Sequence, residues 1–124
     1  LDRVQIIKGW VSADGKTHEK VYDVKWAGDR KPSADGKLPP VGNTVDTKTA
    51  TYANTIGAPE LSGSFTDPEF NAKEKAFYYA RVIEIPTPTW MGYDHAQFQA
   101  DPSAEVPLTQ QERAVTSPIW YNPH

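Results

Sequence analysis

The first 27 residues confine this chain to very few folds. Arg3–Val11 and Thr17–Ala27 are strand-like runs on either side of Ser12-Ala13-Asp14-Gly15-Lys16. In the first run Val4, Ile6 and Trp10 share one face and Ile7 and Val11 the other. In the second, Tyr22, Val24 and Trp26 are expected inward, with Asp23 and Lys25 outward. A period of two marks a strand, and Asp-Gly is a strong reversal signal because glycine accepts positive φ. The two runs predict an antiparallel hairpin. The same pentapeptide stands unchanged at Ser33–Lys37, inside a loop spanning Gly28–Thr44. Its flanks share nothing with the first copy, which predicts one turn used twice and not a repeat fold.

The remaining segments extend the β reading. Val45–Ile56 places Thr47, Thr49, Thr51 and Thr55 on one face and Tyr52 and Ile56 on the other, the pattern of a strand with one wet face. Leu61–Thr66 reads as a further short strand. Asp67-Pro68-Glu69 carries a helix-start signature, and such a helix must stop by about Lys75. Ala76–Ile85 is apolar on both faces, as a central strand would be. Pro86–Gln111 reads as a long proline-rich excursion, with a capping box at Thr109-Gln110-Gln111-Glu112 predicting one helical turn. Arg113–Tyr121 reads as a last strand pairing antiparallel with the strand at 77–85. Pro118 is expected at an edge, a bulge or a strand end, because it cannot donate to a ladder. The chain is short of leucine, with 4, against 26 valines, isoleucines and threonines and 14 aromatics, a mixture that fits pleated surfaces. The expected fold is a single all-β domain over residues 1–124: an antiparallel β-sandwich with one or two short helical turns and a long proline-rich loop.

Charge and residue inventory narrow the function classes. There are 13 basic and 16 acidic side chains, so no basic stripe exists to displace counterions from a nucleic acid. No apolar run exceeds five residues, too short for a membrane span, and no charged start precedes an apolar core as in a signal peptide. Cysteine is absent, which removes disulfides, thiolate zinc sites and a cysteine nucleophile but leaves the compartment open, a periplasmic or secreted one included. The chain starts at Leu1 with a strand close behind, as expected for a piece of a longer polypeptide.

No constellation for catalysis emerges. His18, His95 and His124 lie far apart, and none pairs at the spacing of a short metal motif. Asp94-His95 is the one acid–histidine neighbour pair, and adjacent strand residues face opposite ways. Leu61-Ser62-Gly63-Ser64 has only one of the glycines of a nucleophile elbow. Arg81, set among apolar neighbours, needs a partner, for which Glu84 and Glu112 are the sequence candidates. Trp10, Trp26, Tyr79 and Trp120 fall within strands and are expected in the core. Trp90, Tyr93 and Phe98 fall in the excursion and are the candidate interface residues, for an adjacent domain or as a carbohydrate- or envelope-binding platform.

Several stretches carry a resemblance: Val4-Gln5-Ile6-Ile7-Lys8-Gly9-Trp10, His18-Glu19-Lys20-Val21-Tyr22-Asp23-Val24, Leu38-Pro39-Pro40-Val41-Gly42-Asn43-Thr44-Val45-Asp46, Phe77-Tyr78-Tyr79-Ala80-Arg81-Val82 and Thr116-Ser117-Pro118-Ile119-Trp120-Tyr121. They resemble the C-terminal part of a large bacterial family of unknown function whose upstream portion is similar to PHP (polymerase and histidinol phosphatase) metallohydrolases. The resemblance implies a non-catalytic accessory β-sandwich that packs on an upstream metal-dependent hydrolase domain. The divalent metal and its His-x-His ligands would belong to that domain, so no catalytic, cofactor-binding or metal-binding residue is carried over to this chain.

Overall fold

A computed structural model describes residues 1–101 and 105–123. Strands β1 (Arg3–Val11) and β2 (Thr17–Trp26) form the expected hairpin, and β1 pairs on its other edge with β3 (Lys75–Ile83). The excursion holds β4 (Thr87–Pro88), helix α1 (Trp90–Phe98) and β5 (Thr109–Gln110), and the chain closes with β6 (Arg113–Val115) and β7 (Ile119–Tyr121). Both β6 and β7 pair antiparallel with β3, which completes a five-stranded sheet; β4 and β5 form a separate two-stranded ladder. The fold is all-β, antiparallel and sandwich-like, and the sheets do not close into a barrel.

The two copies of Ser-Ala-Asp-Gly-Lys adopt the same turn. In each, the serine N–H donates to the lysine carbonyl at 2.9 Å and the glycine N–H to the serine carbonyl at 2.8 Å. Gly15 and Gly36 take φ of 82° and 79°, the left-handed region where a side chain would be strained. Only the first copy joins paired strands.

Several expectations fail, each for an identifiable reason. A bulge between Val4 and Gln5 leaves Val24 as an extra residue in β2. Tyr22 then lies opposite Ile6 and Trp26 opposite Arg3, so the two rings point to different faces. Asp23 is not a wet outward acid, because it takes hydrogen bonds from Gln5 and Arg3. Val45–Ile56 is not a strand: one bridge joins Asp46 to Thr51, and the Thr44 hydroxyl donates to the Ala53 carbonyl, a local bond that competes with a ladder. Leu61–Thr66 forms no strand and borders a cleft with Val4, Ile6, Val24 and Lys25 of the hairpin.

No helix starts at Asp67. Its carboxylate accepts from the Glu69 N–H in a local turn but is drawn to Lys8 at 2.6 Å, and Lys75 already belongs to β3. The expected helical turn at Thr109–Glu112 is instead β5 followed by Glu112, whose carbonyl accepts from Glu84 N–H. The last strand is split around Pro118, and in the gap the Thr116 hydroxyl accepts from the Ala80 N–H at 3.0 Å. Arg81 finds neither Glu84 nor Glu112 but donates to Gln5 across the β1–β3 ladder at 2.8 Å. Trp120, expected in the core, is 67% exposed. The core centres on Ile7, 1% exposed, with Ala27, Leu38, Ala50, Ala76 and Ile85.

Candidate functional site

The excursion that reads as irregular contains α1. Thr89 caps it, accepting from Gly92 N–H while its hydroxyl donates to the Pro107 carbonyl at 2.8 Å. Gly92 is required where it stands, because a Cβ there would lie 2.7 Å from the Leu108 carbonyl oxygen. The helix ends where Gln99 takes φ 55° and returns its N–H to the His95 carbonyl. One side of α1 is thereby pinned to the strand below. Trp90, Tyr93 and Phe98 are 63%, 50% and 69% exposed. At about 100° per residue they share one arc of about 140° on the helix surface. The three candidate interface residues thus form a single face.

The histidines do not converge. His95 Nδ1 lies 2.8 Å from the Ala100 carbonyl, at the end of α1. His18 stacks on Trp10 with ring centroids 5.0 Å apart, and its Nε2 meets the Ser12 hydroxyl. His124 lies outside the described residues. Among the described residues no group of three or more His, Cys, Asp or Glu side chains is placed to hold a metal ion.

Two buried carboxylates look chemical and are saturated. Asp67 Oδ2 takes the Lys8 ammonium at 2.6 Å and the Tyr78 hydroxyl at 2.8 Å; Oδ1 takes the Glu69 N–H at 2.9 Å and faces the Tyr22 hydroxyl at 3.2 Å. Burial alone would raise this carboxyl, but the bonds from Lys8, Glu69 and Tyr78 outweigh it and hold the pKa at about 2. Burial and then Asp67 push the Tyr78 phenol up to about 12. The Tyr22 proton also faces Glu69 Oε2 at 3.1 Å, so three donors are fixed on Asp67, and a carboxylate so held beside an ammonium is a poor base. Asp2 is likewise held by Arg30, Arg3 and Gln111. Both clusters are clasps between distant segments.

Sequence reasoning missed one feature. Register and alternation place Glu19, Gly9, Phe77 and Trp120 in a row across β2, β1, β3 and β7, on the face opposite Lys8. The Phe77 ring lies over Gly9, within 2.4 Å of where a Cβ would stand. Phe77 packs on Trp120 at 5.2 Å and stacks with Tyr79 at 6.4 Å. This row floors a groove of about 640 Å³. The signal was Gly9 itself, since a glycine inside a strand pattern marks a close approach of another group.

The class is an antiparallel β domain with an exposed aromatic helix face and an aromatic sheet groove. The family model described as "Protein of unknown function (DUF3604)" matches residues 1–123, and the chain belongs to that family. No curated protein and no solved structure matches it. No helix among the described residues is long and apolar enough to cross a membrane.

Proposed function

We propose that this chain is a non-catalytic accessory domain that packs through the α1 face against a PHP-like metal-dependent hydrolase domain of the same polypeptide. The observation that carries the reading is the single arc of Trp90, Tyr93 and Phe98, three large aromatic side chains turned to solvent on a helix whose other side is pinned. Apolar patches with an aromatic centre are the usual anchors of a protein contact. The resemblance of β1, β2, β3 and β7 to the C-terminal part of a PHP-linked family supplies the partner. The commitment of Asp2 and Asp67 to cationic clasps fits a structural role, with the divalent metal held upstream.

The test compares this chain alone with a longer polypeptide carrying the upstream segment, by acrylamide quenching and hydrogen exchange. Packing predicts that Trp90 and the α1 amides become protected in the longer polypeptide. Replacing Trp90 and Tyr93 by alanine should then loosen the domain contact, yet change the stability of the isolated chain by less than about 1 kcal/mol. Equal exposure of α1 in both contexts, or a loss above about 2 kcal/mol in the isolated chain, would overturn the reading.

A further inference from the structure

We infer that the groove over Gly9 is a binding site for an uncharged oligosaccharide. It uses none of the α1 residues and stands apart from the domain contact. Because side chains alternate, odd positions of β1, β2 and β3 and even positions at β7 share one face of the groove, and Trp10, His18, Ala76 and Tyr121 complete its lining. Its floor is flat because β1 contributes only Gly9 there and the Phe77 ring closes over it. The Trp120 indole, 67% exposed, packs on Phe77 and extends that floor into an aromatic platform.

Polar groups of mixed kind border the platform. Thr17 and Lys75 flank Val11 in the next row, Glu19 closes the β2 side, and Asn122 lies two residues past Trp120 at the β7 side. None of these four side chains makes a hydrogen bond or ion pair among the described residues. A pyranose ring has the matching chemistry: apolar C–H faces that lie on aromatic rings, and a girdle of hydroxyls that both donate and accept. A wholly apolar occupant would bury the four rim groups without partners, which is unfavourable. The one carboxylate and one ammonium cancel, so the rim favours a neutral ligand over an anion or a cation. The volume lies within the range of about 300–1,000 Å³ usual for small-ligand sites.

The experiment titrates the full chain separately with cellohexaose, maltohexaose and chitohexaose, read by tryptophan fluorescence, calorimetry and amide and indole chemical shifts. The expected result is a Kd below about 1 mM for at least one of them, with the Trp120 indole N–H among the shifted signals. Trp120→Ala should weaken that affinity at least about tenfold. Glu19→Gln, which keeps the platform, should weaken it by a smaller factor with an unchanged circular dichroism spectrum. Tyr52→Ala, an exposed aromatic elsewhere, should leave it unchanged. No binding by any of the three sugars, binding indifferent to Trp120→Ala, or preference for an anionic oligogalacturonate would each overturn the proposal. So would a dimer, seen by sedimentation, that Trp120→Ala dissolves, because the face would then be a contact between copies.

Discussion

On one face of the five-stranded sheet, Lys8 stands near the centre of β1 and draws the irregular segment 61–73 down through Asp67 and the Glu69 carbonyl. On the other, the next residue of the same strand is Gly9, and the surface over it is aromatic, grooved and open at Trp120. The difference lies in what each face would lose. A buried ammonium without a partner is strongly unfavourable, so Lys8, with Lys20, Tyr22 and Tyr78 beside it, fixes a segment with no secondary structure of its own. An aromatic platform is stable half-covered, and so remains accessible to a ligand.

The largest expected effect is on the Lys8 face. Asp67→Ala strands the ammonium and should destabilise the chain by about 3–5 kcal/mol in urea unfolding. Lys8→Met combined with Asp67→Leu should recover most of that loss; if it does not, the segment is held by something other than the ion pair. Acid acts on the same carboxylate more gently, since protonation keeps part of its hydrogen bonding. The folded pKa of Asp67 lies below its ordinary value. Its contribution is therefore complete above about pH 4 and declines as pH falls toward about 2. Amide exchange across residues 61–73 should accelerate in that window before the β1–β3 ladder does. Uniform acceleration would erase the contrast between the faces.

Smaller effects belong to the groove. Gly9→Ala drives a methyl into the Phe77 ring and should cost about 1–3 kcal/mol, with a change in near-ultraviolet circular dichroism as the ring swings away. A neutral outcome there would mean that Phe77 has room the structure does not give it. The smallest effect is Trp120→Ala, expected within about 0.5 kcal/mol because the indole is mostly solvated. A loss several times larger would make the platform part of the core.

Local order was legible wherever neighbouring residues alone decide it. The β1–β2 hairpin follows from alternation around Asp14-Gly15, and the second copy of the pentapeptide closes the same hydrogen bonds. The pairing of β3 with β6 and β7 was readable from two apolar strands and a proline that had to fall at a break. Trp90, Tyr93 and Phe98 were recognisable as surplus apolar residues, but their helix was not. What positions α1 is Thr89 reaching Pro107 and Gly92 resting on Leu108, contacts across the excursion that no local pattern shows. The groove was hidden for the same reason, since its row joins four strands.

Sequence by itself determined the turns, the hairpin and the strand-forming character of the chain, because backbone sterics and a two-residue period act over a few neighbours. Tertiary structure decided the partners of the polar side chains. Asp67 had the local context of a helix cap and became the counterion of a lysine 59 residues away. Arg81 had Glu84 three residues off and took Gln5 across the ladder. Charge and hydrogen bonding act through space, so the chain distance that makes a turn predictable says nothing about which groups a folded sheet brings within 3 Å.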